Sequence, residues 1–415
     1  MGFEEIIILS LAVIIGFYMA WNIGANDVAN AMGTCVGSGS LTLKQAIIIA
    51  GIFEFLGAVL VGAHVTKTIK GGIISPEQLV NSPEVFMWGM LAALLASGIF
   101  LQIATFYALP VSTTHAIIGA VAGFGIISLG FFEINWETIG KIALSWVISP
   151  AAGAIVAFIM FFTIKRKILF SEQPMKQIKK LAPYLVFIIA FILVHSLVYK
   201  GLKNLHLDLN FTQASLWAIG SGIISAIICY AWICKKKLNE NEDQIDFVER
   251  IFGKLLIITG CYITFAHGAN DVANAIAPLS GIYGVITSNT VATGDMPVPV
   301  WILMLGGFGI VVGLATWGYK VMETLGKKIT ELTPTRGFSA TFGAATTVLI
   351  CSKLGMPVST THVIVGAIVG VALARGVAAL NTGIIKDIFA SWIITIPATA
   401  IFTMILFKIV DLTII

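Results

Sequence analysis

Charged residues are scarce in this chain: they make up 11% of its 415 residues, whereas 58% are hydrophobic. Soluble globular proteins average about 25% charged residues, so the composition excludes a soluble enzyme and a disordered protein. The five cysteines form no CxxC pair and lie in or beside apolar runs, which excludes a disulfide scaffold. Proline is also rare, with 12 residues against 41 glycines, and glycine is frequent in transmembrane helices. The composition is that of an integral membrane protein.

Several motifs for nucleotide binding and metal binding are also missing from the sequence. The sequence contains no Walker A pattern GxxxxGK[ST], no HExxH pattern and no Cys/His cluster. We therefore expect no ATP-driven pumping, no metalloprotease chemistry, no enzymatic activity of another kind, no cofactor and no nucleic-acid partner.

Long apolar runs are what the chain has in abundance. A helix needs roughly 20 apolar residues to cross a bilayer, and about twelve runs can cross or enter one. We therefore predict an all-α polytopic membrane protein. The runs begin near Ile6, Ala46, Phe86, Val111, Thr138, Leu181, Gln213, Ile251, Val300, Phe338, Val358 and Ile384.

The positions of Lys and Arg predict the orientation. Basic clusters at 165–180, 235–254 and 327–336 are separated from one another by pairs of apolar runs, so all three can be cytoplasmic. Working backward places the amino terminus outside, provided that residues 86–130 enter and leave on one side as a helical hairpin. Residues 338–380 would form a second hairpin. We predict eight full crossings and two hairpins in the cell membrane.

Two motifs occur twice. Gly24–Ala31 reads GANDVANA and recurs letter for letter as Gly268–Ala275, and Pro110–His115 reads PVSTTH and recurs as Pro357–His362. Order and approximate spacing are kept, which is the signature of an internal duplication.

The duplication divides the chain into three parts. We predict a first transmembrane repeat at 1–164, a linking insert with two helices and basic loops at 165–249, and a second repeat at 250–415. Because five crossings precede the second repeat, the two copies have opposite topology. Inverted repeats, here each with a broken helix and a hairpin, are typical of secondary transporters whose substrate site lies at the repeat interface.

GANDVANA predicts a cation site in each repeat. Asp27 and Asp271 fall at membrane depth, where an unpaired carboxylate costs roughly 2.5–3.5 kcal/mol. Asparagines on the same short segments add neutral oxygen ligands, and hard oxygen donors at a helix break suit Na⁺. The alternative is that these residues only cap helices or bond between helices. The predicted Na⁺ ligands are Asn26, Asp27, Asn30, Asn270, Asp271 and Asn274.

PVSTTH predicts an anion site. Its proline suits the first turn of a helix, and a helix start attracts anions through its free N–H groups and dipole. Three hydroxyls add donors without a fixed charge, which would let a multivalent anion leave again. Plain helix capping is the alternative. The predicted anion-binding residues are Ser112, Thr113, Thr114, Ser359, Thr360 and Thr361.

The sequence leaves the roles of a few single residues open. Glu54 is either a cation ligand or proton-coupling residue, or a buried carboxylate bonded to a neighbour. We interpret His115 and His362 mainly as packing residues, with a proton relay as the alternative. Lys353 could attract an anion or extend its amine to the membrane surface. We assign no role to His267, because Ile23 occupies its place in the first repeat.

Both doubled motifs resemble those of the inorganic phosphate transporter family, the PiT-type carriers, and the short insert resembles that of a prokaryotic member. The resemblance covers both repeats. It implies uptake of inorganic phosphate driven by Na⁺ in some members and by H⁺ in others. It further implies that Asp27, Asn30, Asp271 and Asn274 bind the coupling ion. The hydroxyls of Ser112 to Thr114 and Ser359 to Thr361 would hold phosphate.

We therefore predict a secondary transporter that imports phosphate with a cation. Its predicted partners are inorganic phosphate, Na⁺ and the lipid bilayer. One alternative is coupling to H⁺ instead of Na⁺, and another is transport of a different oxyanion such as sulfate. A third alternative is a channel or a sensor that does not transport. Ion stoichiometry stays open, as does a homodimer. Gly57 and Gly62, like Gly313 and Gly318, are five residues apart rather than the four of GxxxG, so they predict no dimer contact.

Overall fold

The computed structural model describes residues 2–64, 73–74, 76–198, 209–239, 242–288, 290–291, 298–323, 332–353, 358–376 and 382–414. Within these ranges the regular structure is helical, as predicted, and no strand occurs. Each of the predicted apolar runs lies in at least one helix. The chain is an all-α polytopic membrane protein.

The described part of the predicted first repeat contains six α-helices. The first apolar run is divided into two helices by a break at Asp27, and a long final helix contains Pro150 without ending there. Short 3₁₀ turns occupy Gly62–His64, Pro76–Leu79 and Phe131–Glu133. The α-helices are α1 (Phe3–Asn26), α2 (Val28–Gly37), α3 (Leu43–Val61), α4 (Pro83–Phe106), α5 (Thr113–Ser128) and α6 (Trp136–Ile164).

The insert and the second repeat continue the pattern. A π turn at Lys165–Leu169 leads into the insert, whose two helices pack against each other. The second repeat again begins with a helix broken near its aspartate. The helices are α7 (Pro174–Val198), α8 (Phe211–Cys234), α9 (Gln244–Asp271), α10 (Ala273–Ser288), α11 (Val300–Trp317), α12 (Tyr319–Glu323), α13 (Pro334–Lys353), α14 (Thr360–Arg375) and α15 (Thr382–Thr413).

Nine helices in the described part of the chain are long and apolar enough to span a membrane. One of them, α4, is followed by the shorter α5, which has 16 residues and packs against it. A helix of 16 residues is about 24 Å long, less than the roughly 30 Å hydrocarbon core. Helix α5 is therefore shorter than a full crossing, whereas α4, with 24 residues, is long enough for one. That α4 with α5, and α13 with α14, form hairpins stays a prediction.

The two halves are interlocked by exchange of neighbours. Helix α5 of the first half packs against α15 of the second, and α14 of the second packs against α6 of the first. In the same way α1 packs against α11, and α9 against α3. The duplicated motifs consequently meet in the interior, where the side chains described next are buried.

Candidate functional site

Asp27 lies in the break between α1 and α2 and is 1% exposed. Its Oδ2 accepts a hydrogen bond of 2.6 Å from the Thr113 hydroxyl, and its Oδ1 accepts one of 2.8 Å from the Asn30 amide. The Thr361 hydroxyl also donates to Oδ1. Asp27 is thus held by hydroxyls from the starts of both α5 and α14, so both copies of PVSTTH meet at one carboxylate.

Asp271, the last residue of α9, is equally buried. Its Oδ2 accepts a hydrogen bond of 2.8 Å from the Thr360 hydroxyl, and its Oδ1 accepts one of 2.8 Å from the side-chain amide of Asn270. The remaining contact differs from that of Asp27, because Nε2 of His267 lies 2.7 Å from Oδ2 of Asp271. A histidine therefore stands where the other half uses a threonine from across the interface.

His267 connects the two carboxylates to a third one. Its Nδ1 lies 2.9 Å from Oε2 of Glu54, and its Nε2 lies 3.9 Å from Oδ2 of Asp27. Glu54 is fully buried in the middle of α3. One potential ligand atom from each of Asp27, His267 and Asp271 lies within 4.8 Å of the other two. The site is an acidic cluster with a single imidazole at its centre.

The second asparagine of each GANDVANA motif reaches across to the other half. The Asn30 amide donates to the Thr361 hydroxyl at 2.7 Å, and the Asn274 amide donates to the hydroxyls of Thr113 and Thr114 at 3.1 and 3.3 Å. The carbonyl oxygen of Asn30 is buried and has no hydrogen-bond partner among the described residues. A free buried oxygen beside a carboxylate suits a cation, which needs only acceptors around it.

Asn26 has another set of contacts. Its side-chain amide donates hydrogen bonds to the Thr105 hydroxyl at 2.9 Å and to the Leu109 carbonyl at 3.0 Å. Its side-chain carbonyl accepts a hydrogen bond of 3.1 Å from the Val111 N–H. These bonds attach the turn between α4 and α5 to the helix break. Asn26 therefore positions the hairpin in this structure, although the sequence suggests a cation ligand.

The two serines cap the hairpin helices. Ser112 is the N-cap of α5 and accepts the backbone N–H of His115 at 3.2 Å, and Ser359 caps α14 in the same way with His362 at 3.3 Å. The capping alternative thus describes the serine oxygens correctly. Each serine hydroxyl hydrogen is still available to a ligand, because capping uses only the oxygen.

The structure joins nine of the twelve predicted site residues, and Glu54 through His267, in one network of contacts, whereas Asn26 bonds to the hairpin turn and each serine caps its helix. The nine are Asp27, Asn30, Thr113, Thr114, Asn270, Asp271, Asn274, Thr360 and Thr361. His267 was missed, and its signal was a departure from the duplication: it stands where Ile23 stands in the first half, and Glu54 likewise has Ile310 at its matching place. These two unmatched polar residues bond to each other. The side chain of Lys353 lies outside the described residues.

Chemically, the arrangement can bind ions of both signs. Buried carboxylates and a free amide oxygen offer hard ligands to a cation, and two opposed helix starts with hydroxyls offer donors to an anion. Fixed basic residues are absent from these described contacts, so an anion bound here would need a cation to balance its charge.

Comparison with known proteins agrees with this chemistry. The profile of the phosphate transporter family matches residues 23–403. A provisionally named phosphate permease of Pyrococcus horikoshii is 50% identical over 399 residues, which cover 96% of this chain and 97% of the relative. One of Haemophilus influenzae is 45% identical, covering 96% and 95%.

A solved structure described as the sodium-dependent phosphate transporter is 41% identical to this chain, with a TM-score of 0.92. The match covers 98% of this chain and 100% of the solved one. None of these descriptions mentions an assembly, so they lend no support to a homodimer.

Proposed function

Because the chain belongs to the phosphate transporter family, we propose that it imports inorganic phosphate together with Na⁺ by alternating access. Family membership makes it a membrane-embedded phosphate transporter rather than an enzyme. The direction, the coupling ion and the location in the cell membrane with the amino terminus outside belong to the proposal. The name of the similar solved structure supports Na⁺.

The observation that carries the proposal is the meeting of both pairs of motifs at Asp27. This carboxylate accepts hydroxyl hydrogens from Thr113 of one half and Thr361 of the other. A cation bound at the carboxylate therefore lies next to both helix starts, where an anion is stabilised. Cation and phosphate would then occupy adjacent positions and offset each other's charge inside the bilayer.

Competition for the carboxylate oxygens explains how the two ions would be coupled. Thr113, Thr360 and Thr361 donate to Asp27 and Asp271 in this structure. A Na⁺ ion bound to a carboxylate takes over an oxygen lone pair, so a threonine hydroxyl is released and can donate to phosphate instead. Phosphate binding then depends on prior cation binding, as symport requires.

The site residues divide accordingly. Asp27, Asn30, Asp271 and Asn274, with Asn270, surround the cations, and Asn26 holds the first hairpin beside them. The hydroxyls and N–H groups at Ser112–Thr114 and Ser359–Thr361 receive phosphate.

Opposite orientation of the halves would provide alternating access. In the described part of the chain, five helices long enough to span the membrane precede α9, counting α1 with α2 once and leaving out α4. If α4 and α5 return to the side from which they came, α9 starts on the side opposite to α1. Rocking of two such halves exposes a shared site first to one side and then to the other.

A proton-coupled carrier is the second candidate. It is favoured by Glu54 and His267, a buried pair of titratable side chains 2.9 Å apart and in contact with Asp271. The free carbonyl oxygen of Asn30 favours Na⁺, since an amide oxygen can bind a metal ion but does not carry a proton at neutral pH.

Uptake of labelled phosphate into proteoliposomes tests the coupling ion. At equal pH on both sides and a clamped membrane potential, an inward Na⁺ gradient should drive accumulation that choline does not support. Equal uptake with Na⁺ and choline would exclude Na⁺ coupling. Uptake driven by an inward proton gradient without Na⁺ would establish the second candidate. Suppression of labelled uptake by excess sulfate would point to a broader oxyanion carrier.

A further inference from the structure

Four aromatic rings form a stack where the two hairpin helices α5 and α14 meet α6 and α15, and three of the four are buried. His115 and His362 lie with their ring centroids 4.3 Å apart at an angle of 78°. His115 packs against Trp146 at 3.7 Å, and His362 packs against Trp392 at 3.5 Å. Both histidines are 2% exposed. The stack joins matching sequence positions of the two halves.

Most polar atoms of this stack lack a hydrogen-bond partner. The Trp392 indole N–H donates to the Pro110 carbonyl oxygen at 3.4 Å, but neither ring nitrogen of His115 or His362 has a hydrogen-bond partner among the described residues, and the same is true of the Trp146 indole N–H. Buried polar groups are nearly always paired, and leaving one unpaired costs about 1–3 kcal/mol. Five unpaired ring nitrogens on one stack favour contact with a polar ligand.

The hairpin helices present their hydroxyls on two different faces. Thr113 and Thr360 donate to the aspartates. Ser112 and His115 are three residues apart, as are Ser359 and His362, and residues at this spacing share a helix face. The serine side chains therefore lie on the same side of each helix as the histidine rings.

The acidic cluster is poorly suited to recognise the hydrogen that phosphate carries. Asp27 already accepts hydrogen bonds from Thr113, Thr361 and Asn30, and in the loaded site its oxygens would face Na⁺. A neutral imidazole offers one N–H donor and one nitrogen acceptor. Phosphate at neutral pH has both oxyanion oxygens and a P–O–H group. An imidazole N–H can donate a hydrogen bond to an oxyanion oxygen, and an imidazole nitrogen without hydrogen can accept one from the P–O–H group.

We propose that His115 and His362 contact the transported anion and determine its specificity, because one imidazole nitrogen accepts the P–O–H hydrogen while an imidazole N–H and the serine hydroxyls donate to oxyanion oxygens. The proposal rests on the phosphate site proposed above. Sulfate has no hydrogen to donate near neutral pH, so the accepting nitrogen would face an oxygen lone pair. Sites built to bond a substrate hydroxyl reject analogues that lack it.

Substitution of the histidines tests this role. His115→Phe and His362→Phe keep an aromatic ring in the stack but remove its hydrogen bonds, whereas His115→Gln and His362→Gln keep a donor and an acceptor. We expect each Phe variant to raise the KM for phosphate by about tenfold or more, and to reduce the preference for phosphate over sulfate by a similar factor. The Gln variants should recover part of both effects. His195→Phe, in the insert helix α7, is the matched control and should change neither.

Competition by arsenate tests whether the site recognises the hydrogen of the anion rather than only its tetrahedral shape. It carries a hydrogen as phosphate does, so it should compete with phosphate in the wild type and lose potency in the Phe variants in parallel. If the Phe variants fold and transport with an unchanged phosphate-to-sulfate preference, the stack is only structural and the proposal is wrong. If the wild type fails to transport phosphate, the proposed function fails instead.

A second measurement needs no substitution. In wild-type protein with ¹⁵N-labelled histidine rings, phosphate in the presence of Na⁺ should shift the ring signals of His115 and His362, and sulfate should not. Identical spectra with phosphate, with sulfate and without either anion would overturn the proposal even if every Phe variant misfolded.

Discussion

At the scale of single residues, the two aspartates have the same sequence neighbours but different partners. Asp27 receives a hydroxyl from the opposite half, through Thr361, whereas Asp271 contacts His267 of its own helix. The difference arises because the first half has Ile23 where the second has His267. The two proposed cation positions are therefore not equivalent, and the loss of one carboxylate should differ in severity from the loss of the other.

Neutralising either aspartate tests this. Asp27→Asn and Asp271→Asn each remove a charged acceptor of several hydrogen bonds, an interaction worth about 1.5–3 kcal/mol per bond. We expect Na⁺-driven phosphate uptake to fall at least about tenfold in each. Asp411→Asn makes the same change at an exposed residue paired with Lys408 and should leave uptake unchanged. Undiminished Na⁺-driven accumulation in the double variant would contradict the cation sites.

Glu54 and His267 should be coupled in stability. Removing one partner of a buried pair costs about 3–5 kcal/mol, so Glu54→Ile alone should lower the melting temperature in detergent strongly. Glu54→Ile with His267→Ile installs the residues found at the matching places, Ile310 and Ile23. The double variant should be destabilised by less than the sum of the single ones. Additive losses would show that the pair does not interact.

The candidate site was largely predictable from sequence because its motifs are duplicated. Two identical copies made capping alone an insufficient reason for Asp27 or Thr361, and the structure places both at one centre. His267 could not be found in this way, since a search for matching letters passes over residues that differ. The contacts of Asn26 with the hairpin turn also need the fold, because Thr105 and Val111 lie far away in sequence.

At the scale of elements, glycines determine how closely the interlocked helices approach. A Cβ added at Gly366 would lie 2.3 Å from the carbonyl oxygen of Pro150, and one at Gly370 would lie 2.1 Å from that of Ala154. Gly119 and Gly123 on α5 meet α15 in the same manner. Each hairpin helix thus carries a GxxxG motif, which allows close backbone packing between membrane helices.

Substitution of one such glycine should separate α14 from α6. Gly366→Ala forces two backbones apart, and we expect a lower melting temperature and reduced phosphate uptake. Gly220→Ala is the matched control: this helical glycine has no atom within 4 Å of an added Cβ, so it should be neutral or stabilising by up to about 1 kcal/mol. A Gly366→Ala protein as stable and active as Gly220→Ala would show that the contact does not limit packing.

The elements themselves were predictable because each is an apolar run bounded by polar or turn residues. What the runs did not reveal was which helices pair. The break in the first run was predicted from GANDVANA, and the structure has it at Asp27, between α1 and α2. Pairing of α5 with α15 joins segments more than 250 residues apart, a choice that depends on complementary surfaces rather than on local composition.

At the scale of the whole molecule, exchange of neighbours restricts how the halves can move. Each hairpin helix packs against the long last helix of the other half, α5 against α15 and α14 against α6. A hairpin therefore cannot move without the helix of its opposite half, and both motifs at the site change their surroundings together. This joint motion would prevent the site from opening to both sides at once.

The proposed inversion of the two halves predicts which residues face each side of the membrane. Single cysteines in a cysteine-free background can be tested with a membrane-impermeant maleimide in intact cells. Phe3→Cys and Leu412→Cys should be labelled from outside, since both exposed residues lie at the far ends of the repeats. Ser171→Cys and Asn239→Cys, in the loops on either side of the insert helices, should react only after the cells are opened.

The opposite orientation of the two halves depends on whether α4 and α5 form a hairpin that returns to its starting side of the membrane. From Phe3 to Ser171 the chain crosses the membrane three times if α4 and α5 return to the side they came from, and four times if they do not. Three crossings place Ser171 opposite to Phe3, and four place both on the same side. Labelling of Ser171→Cys and Phe3→Cys from the same side would therefore remove the inversion, and with it the symmetry that lets one buried site face outside and inside in turn.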